Sequence, residues 1–172
     1  MASLMENLIE VLTKESGAYE GLLDISRRKT AIIVKGDLGA LTQLTEEEQD
    51  AASVIANLDK KRREVTADIA NVLNMDVNTL KLSKLVDMLS SRPDEQKALA
   101  KAIETLKKNA DALQQVNTQN GELLKNSIEM VQFELNLLQS MKAAPETANY
   151  SRGAYNTGAT MGTARRGFDA KQ

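Results

Sequence analysis

The sequence predicts an all-α protein: an antiparallel hairpin of two long helices, then a short helix, a longer third helix and a disordered C-terminal tail. Apolar residues recur at alternating steps of three and four over long stretches, which is the spacing of one buried helix face. Only two of the 172 residues are proline, so most of the chain has nothing to stop a helix. Aromatic residues make up only 3%, and the aliphatic core that this implies suits long helices packed side by side.

The first two helices are predicted to be joined by a very short turn. The first helix runs from about Ser3 to Lys35. Gly36 favours the left-handed conformation that ends many helices, and Asp37 is a good N-cap for the next helix. The second helix then continues to about Asn74. A link this short produces an antiparallel helical hairpin.

The remaining helices follow after a break in the pattern. A short amphipathic helix is predicted around Thr79–Leu89, and a third long helix over about Pro93–Lys142, roughly 75 Å long at 1.5 Å per residue. Pro93 suits the first turn of that helix because its missing N–H would have no partner there. The inward seam of the long helix is predicted to be Leu99, Ile103, Leu106, Ala110, Leu113, Asn117, Asn120 and Leu124. Residues 1–142 are therefore predicted to form one helical bundle domain.

Near residue 128 the long helix changes from one apolar face to two. The inward face continues as a seam stripe, and a second stripe replaces the polar back of the helix. The seam stripe is Ile128, Val131, Leu135 and Leu138, and the second stripe is Met130, Phe133, Leu137 and Met141. Three partners for the second stripe remain open: another protein, the short helix around residue 85, or a second copy of the chain. Methionine and phenylalanine favour an adaptable protein-binding surface.

The tail, residues 143–172, differs in composition from the rest of the chain. It contains four of the nine glycines together with scattered Ser, Thr and Asn, and it carries a net charge of +2. Too few aliphatic residues are present to offset the entropy of ordering, which predicts disorder. This tail is the second predicted domain.

Charged and amide residues on the seams are candidates for setting the helix register. Glu15 with Arg62, and Lys29 with Glu48, have the same sum of residue numbers. An antiparallel pair with one constant register therefore brings both pairs together, although all four side chains could instead extend outward into solvent. Buried pairs of this kind can fix register without adding much stability. Asn117 and Asn120 are expected to act similarly, since a seam amide specifies alignment at some cost in stability. A role at a partner-binding surface is the alternative for these two residues.

Composition argues against several classes of function. The chain has no cysteine and no histidine, which removes thiol chemistry, the commonest general base and the commonest transition-metal ligand. Lys60–Arg63 and Glu46–Glu48 point in different directions around a helix, so neither predicts a nucleic-acid or metal site. The net charge is −2, and no apolar run is long enough to cross a bilayer. We expect a cytoplasmic, non-enzymatic protein without a cofactor, nucleic acid or stable membrane insertion.

Three stretches resemble the FlgN-type flagellar export chaperones. The first is the Gly36–Asp37 turn within residues 29–41, and the second is the run from Glu48 to Arg63. The third, at residues 117–124, reads Asn-x-x-Asn-x-x-Leu-Leu. They occur in the order and spacing of that family and lie within residues 4–141.

The resemblance implies a cytoplasmic chaperone of the flagellar type III export system. Such a chaperone binds hook-associated (hook–filament junction) proteins, its clients, and delivers them to the export gate. The family binds clients through the C-terminal part of the chaperone, where the second stripe lies. Tyrosines in the family's tails are associated with docking at the export gate, which implies that role for Tyr150 and Tyr155. The alternative is a structural coiled-coil adaptor whose extra apolar stripe drives oligomerisation.

Overall fold

Helices make up all the regular secondary structure of residues 2–143, the part of the chain that the computed structural model describes. They are α1 (Ala2–Lys35), α2 (Leu38–Leu73), a 3-10 turn (Val77–Thr79), α3 (Leu82–Met88) and α4 (Pro93–Ala143). The all-α prediction and the order of the helices are confirmed. Apart from Ala143, the tail predicted to be disordered lies outside the described residues. The chain divides into two compact units, Met1–Met130 and Val131–Gln172.

The hairpin turn has the local chemistry that the sequence predicts. Gly36 has a φ of +70°, in the left-handed region that glycine tolerates best. Its N–H donates to the Ile32 carbonyl over 3.0 Å. The Asp37 carboxylate accepts from the Ala40 N–H, also over 3.0 Å, and so caps α2. Two residues are therefore enough to end one helix and start the next in the opposite direction.

The segment between α2 and α4 is less helical than predicted. The Asp76 carboxylate accepts from the Asn78 N–H over 2.9 Å and caps a single 3-10 turn. The α-helix begins only at Leu82, so the short helix predicted around residues 79–89 has 7 residues. Asp76 favours the local turn because its side chain bonds the backbone two residues on. Leu85 and Leu89 nevertheless stay buried.

Two apolar clusters hold the first unit together. The larger joins one end of the α1–α2 hairpin, α3 and the start of α4, and its buried members are Met5, Leu8, Leu12, Val65, Ile69, Ala70, Leu80, Leu85, Leu89, Leu99 and Ala102. The smaller lies further along the hairpin and is built on Leu22, Leu23, Ile55 and Leu113. Both are almost entirely aliphatic, as expected from a chain with so few aromatic residues.

Helices α1 and α4 pair in parallel with a constant offset. The Asn109 amide donates to the Ser16 carbonyl and the Asn120 amide to the Ser26 carbonyl, across sequence separations of 93 and 94 residues. This register places Lys35, the last residue of α1, level with residue 128 or 129 of α4. Since α1 has 34 residues and α4 has 51, the apolar pattern of α4 continues after α1 has ended.

The seam predicted for α4 is wrong at one position, Asn117, which is exposed. The other predicted seam residues are buried or partly buried: Leu99, Ile103, Leu106, Ala110, Leu113, Asn120 and Leu124. Between Leu113 and Asn120 the buried face passes through Val116, which is partly buried, instead of Asn117. Both choices give steps of three and four, so periodicity alone cannot distinguish them. In the hairpin, Leu38 and Val72 are exposed although both are apolar.

Candidate functional site

The end of α4 exposes large apolar side chains on two sides. In the second stripe, Met130, Phe133, Leu137 and Met141 have exposed fractions between 49% and 68%. In the seam stripe, Ile128, Val131, Leu135 and Leu138 have exposed fractions between 53% and 57%. A single exposed apolar residue is common on protein surfaces, but eight exposed apolar residues within fourteen positions form a candidate binding surface.

The exposure of the seam stripe corrects the expectation that it continues the bundle seam. In the parallel register, α1 ends level with about residue 129 of α4. The apolar spacing persists beyond that point, and its side chains are open to solvent. Sequence reasoning missed these residues as part of the candidate site. The signal that could have found them is the predicted length of the first helix, which is much shorter than the third.

The short helix uses its apolar side in the core. Leu80, Leu85 and Leu89 belong to the same buried cluster as Leu8 and Leu99. Phe133 is 67% exposed. A protein partner, the short helix and a second copy of the chain stay the candidate occupants of the second stripe.

Glu15 and Arg62 meet inside the hairpin. The Arg62 Nε donates to the Glu15 carboxylate over 2.9 Å, and a second guanidinium nitrogen pairs with Asp59. Glu15 is 2% exposed. Burial raises the pKa of the Glu15 carboxyl above its ordinary value, the Arg62 cation opposes this shift, and the Asp59 carboxylate adds to it.

The second predicted pair also comes together. The Lys29 ammonium lies 2.5 Å from the Glu48 carboxylate, and both side chains are about one-fifth exposed or less. Arg28 and Glu47 form a neighbouring pair at 2.8 Å that is half exposed. Two pairs thus connect α1 and α2 at separate points with the same register, as the residue numbers predict. Their role in setting that register remains a proposal.

Asn120 connects α4 to α1, whereas Asn117 does not. Asn120 is buried, its amide donates to the Ser26 carbonyl over 2.8 Å, and its side-chain oxygen accepts from the Thr30 hydroxyl over 2.6 Å. The Ser26 hydroxyl nearby is buried without a hydrogen-bond partner among the described residues. Asn117 is exposed, so its predicted seam position is wrong. We propose that Asn120 alone of the two specifies alignment.

Other kinds of site find little support in residues 2–143. No cluster of three or more acidic side chains suited to a metal ion occurs there. None of the helices in this range carries an apolar stretch sufficient to span a bilayer. Tyr150 and Tyr155, implied as docking residues, lie outside the described residues.

Comparison with known proteins identifies one family. A family model described as FlgN protein matches residues 1–157. This span contains all four α-helices and both stripes. No curated protein and no solved structure matches the chain.

We predict that Arg62→Ala lowers the free energy of unfolding by about 3 kcal/mol, because it leaves the buried Glu15 carboxylate without its cation. The measurement is urea unfolding followed by circular dichroism. Arg63→Ala is the matched control, since Arg63 is exposed and pairs only with Asp59 among the described residues; it should cost less than about 1 kcal/mol. Equal effects of the two variants would contradict a special role for the buried pair.

The raised pKa of Glu15 predicts a pH dependence of stability. A carboxyl whose pKa is higher in the folded chain favours folding most at pH below its ordinary value of 4.5. That contribution is lost as the pH rises through the folded-state pKa. The free energy of unfolding of the wild type, relative to Glu15→Gln, should therefore fall as the pH rises above 4.5. Urea titrations of both proteins over this range test it, and a difference that grows with pH would show that Arg62 outweighs burial.

Two asparagines on one helix provide a third test. Asn120→Ala removes the acceptor of the Thr30 hydroxyl and the donor to the Ser26 carbonyl, and should lower the free energy of unfolding by about 1–3 kcal/mol. Asn117→Ala changes an exposed amide only three residues earlier and should stay within about 0.5 kcal/mol of the wild type. Thermal melts of the two variants measure this difference. Similar losses of stability in both variants would mean that the buried hydrogen bonds of Asn120 do not stabilise the fold.

Proposed function

Because the chain belongs to the FlgN family, whose members are flagellar export chaperones, we propose that it binds hook-associated proteins in the cytoplasm and delivers them to the flagellar export gate. The family match covers residues 1–157. The hook-associated proteins are thus the proposed clients.

The observation that carries this proposal is the exposed second stripe. Its members are spaced three or four residues apart along α4, which is the spacing at which an amphipathic helix packs into a partner's groove. Two of its four members are methionine, whose unbranched side chain adapts to differently shaped partners. An export client that must be held before assembly requires a contact of this kind, apolar and adaptable.

The first unit supports the role of a scaffold. Its buried clusters and its polar contacts, centred on Glu15 and Asn120, use residues that do not belong to the second stripe. Binding through the stripe therefore does not require the hairpin to open. Delivery to the export gate is proposed from the family resemblance, with Tyr150 and Tyr155 as the docking residues.

The test is binding of a purified hook–filament junction protein encoded in the same genome. Phe133→Ser combined with Leu137→Ser should weaken binding at least about 100-fold, since two large apolar contacts are worth about 3 kcal/mol or more. Helicity and melting temperature should stay nearly unchanged because both side chains are exposed. Gln132→Ser with Asn136→Ser is the matched control, as these neighbours are exposed and polar.

Two outcomes would overturn the proposal. If the Phe133 and Leu137 variant unfolds, the stripe is part of the packed core. If it stays folded, binds the junction protein as tightly as the wild type and only changes from an oligomer to a monomer, the stripe is a self-association surface. The second result would favour the coiled-coil adaptor.

A further inference from the structure

We propose that one client encloses the end of α4 with two of its helices, one on each stripe. This inference rests on the proposed function, and it specifies the kind of partner that the site accepts. A client with a single amphipathic helix would satisfy the second stripe alone. The proposed surface lies on residues 131–142, the last turns of α4.

The two stripes point in different directions around the helix. At about 100° per residue, Phe133, Leu137 and Met141 are centred about 130° away from Val131, Leu135 and Leu138. Together they occupy an arc of about 200° of the helix surface. A contact with one neighbouring helix uses an apolar stripe of roughly 100°. Apolar residues at the end of α4 therefore span about twice the width that a single helix covers, and Glu134 and Lys142 lie within this arc.

Both stripes are exposed to a similar extent. Leu135 is 53% exposed and Leu137 49%. Polar residues occupy the remaining side of the helix, at Gln132, Asn136 and Gln139, and all three are exposed. The two apolar stripes together are wider than the single stripe that one neighbouring helix covers. The polar side marks the only direction that should face solvent once the client is bound.

A second copy of the chain does not satisfy this surface. When two copies pair through the same stripe, each covers one stripe of the other, and the remaining stripe of each copy stays open. A pair of helices from one client covers both stripes at once. The client is thus a polypeptide that presents two amphipathic helices side by side.

Glu134 adds a requirement of charge. Around the helix, Glu134 lies midway along the shorter arc that separates the two stripes. It is exposed in the free chain. Two helices that cover both stripes meet over this carboxylate and remove it from water. A buried carboxylate needs a cationic or hydrogen-bonding partner, so the client should carry a lysine or arginine where its two helices meet.

The test compares variants of the two stripes for binding of the purified hook–filament junction protein. Val131→Ser with Leu135→Ser alters only the seam stripe and should weaken binding at least about 100-fold, as expected for Phe133→Ser with Leu137→Ser. The melting temperature should not change, since both seam residues are exposed. Hydrogen exchange of the bound client should show two separate protected helices, and light scattering one client per chaperone.

A charge reversal provides an independent readout. Glu134→Lys should weaken binding at least about tenfold, because it places a like charge beside the proposed cation. Glu129→Lys is the matched control: Glu129 is also exposed but lies on the polar side of the helix. It should leave binding unchanged. Equal binding by the two variants would show that the region between the stripes is not enclosed, and would overturn the proposal.

The remaining outcomes separate this proposal from the proposed function. If the seam-stripe variant binds the client normally while the second-stripe variant does not, one helix suffices; the two-helix proposal fails and the chaperone function stands. Tighter binding by the seam-stripe variant would mean that the tail or a second copy competes for that stripe, which also overturns it. If neither stripe variant weakens binding, the proposed function itself fails.

Discussion

The unequal lengths of α1 and α4 are the constraint on which the rest of the structure depends. The two helices pair in parallel with an offset of 93 to 94 residues, and α1 ends first. Up to that point the apolar residues of α4 have a hairpin to pack against. Inside the bundle, apolar residues with this spacing form the core. After α1 has ended, apolar residues with the same spacing are exposed. Local sequence pattern does not distinguish the two.

This explains how much of the fold was predictable. Helix ends depend on residues close to them in sequence, and Gly36, Asp37 and Pro93 were sufficient to place the hairpin turn and the start of α4. The pairing of Glu15 with Arg62 was predictable because a hairpin with a short turn leaves little freedom of register. The exposure of Asn117 was not predictable, since Asn117 and Val116 fit the same spacing between Leu113 and Asn120 and only tertiary packing chooses between them. Val116 packs against the smaller cluster in the place predicted for Asn117.

The sequence predicted one of the two stripes of the candidate site. The second stripe is visible in the sequence because apolar residues appear where polar ones stood before. The seam stripe is not, because its residues continue an unbroken pattern and only the end of α1 exposes them. The predicted lengths of the first and third helices already indicate that the end of the third helix extends beyond the first. The parallel register of α1 and α4, which decides where exposure begins, depends on contacts such as Asn120 to Ser26 that are remote in sequence.

The buried polar contacts lie on residues other than those proposed to bind a partner. Glu15 and Asn120 are buried, and buried polar groups must keep their partners or lose stability. We propose that they favour one alignment of the helices over alignments shifted by a turn. The end of α4 has no comparable polar constraint, and its unbranched methionines can adopt several rotamers at little cost. The residues proposed to align the helices and the residues proposed to bind a partner are therefore different, so binding at the end of α4 would leave the buried polar contacts in place.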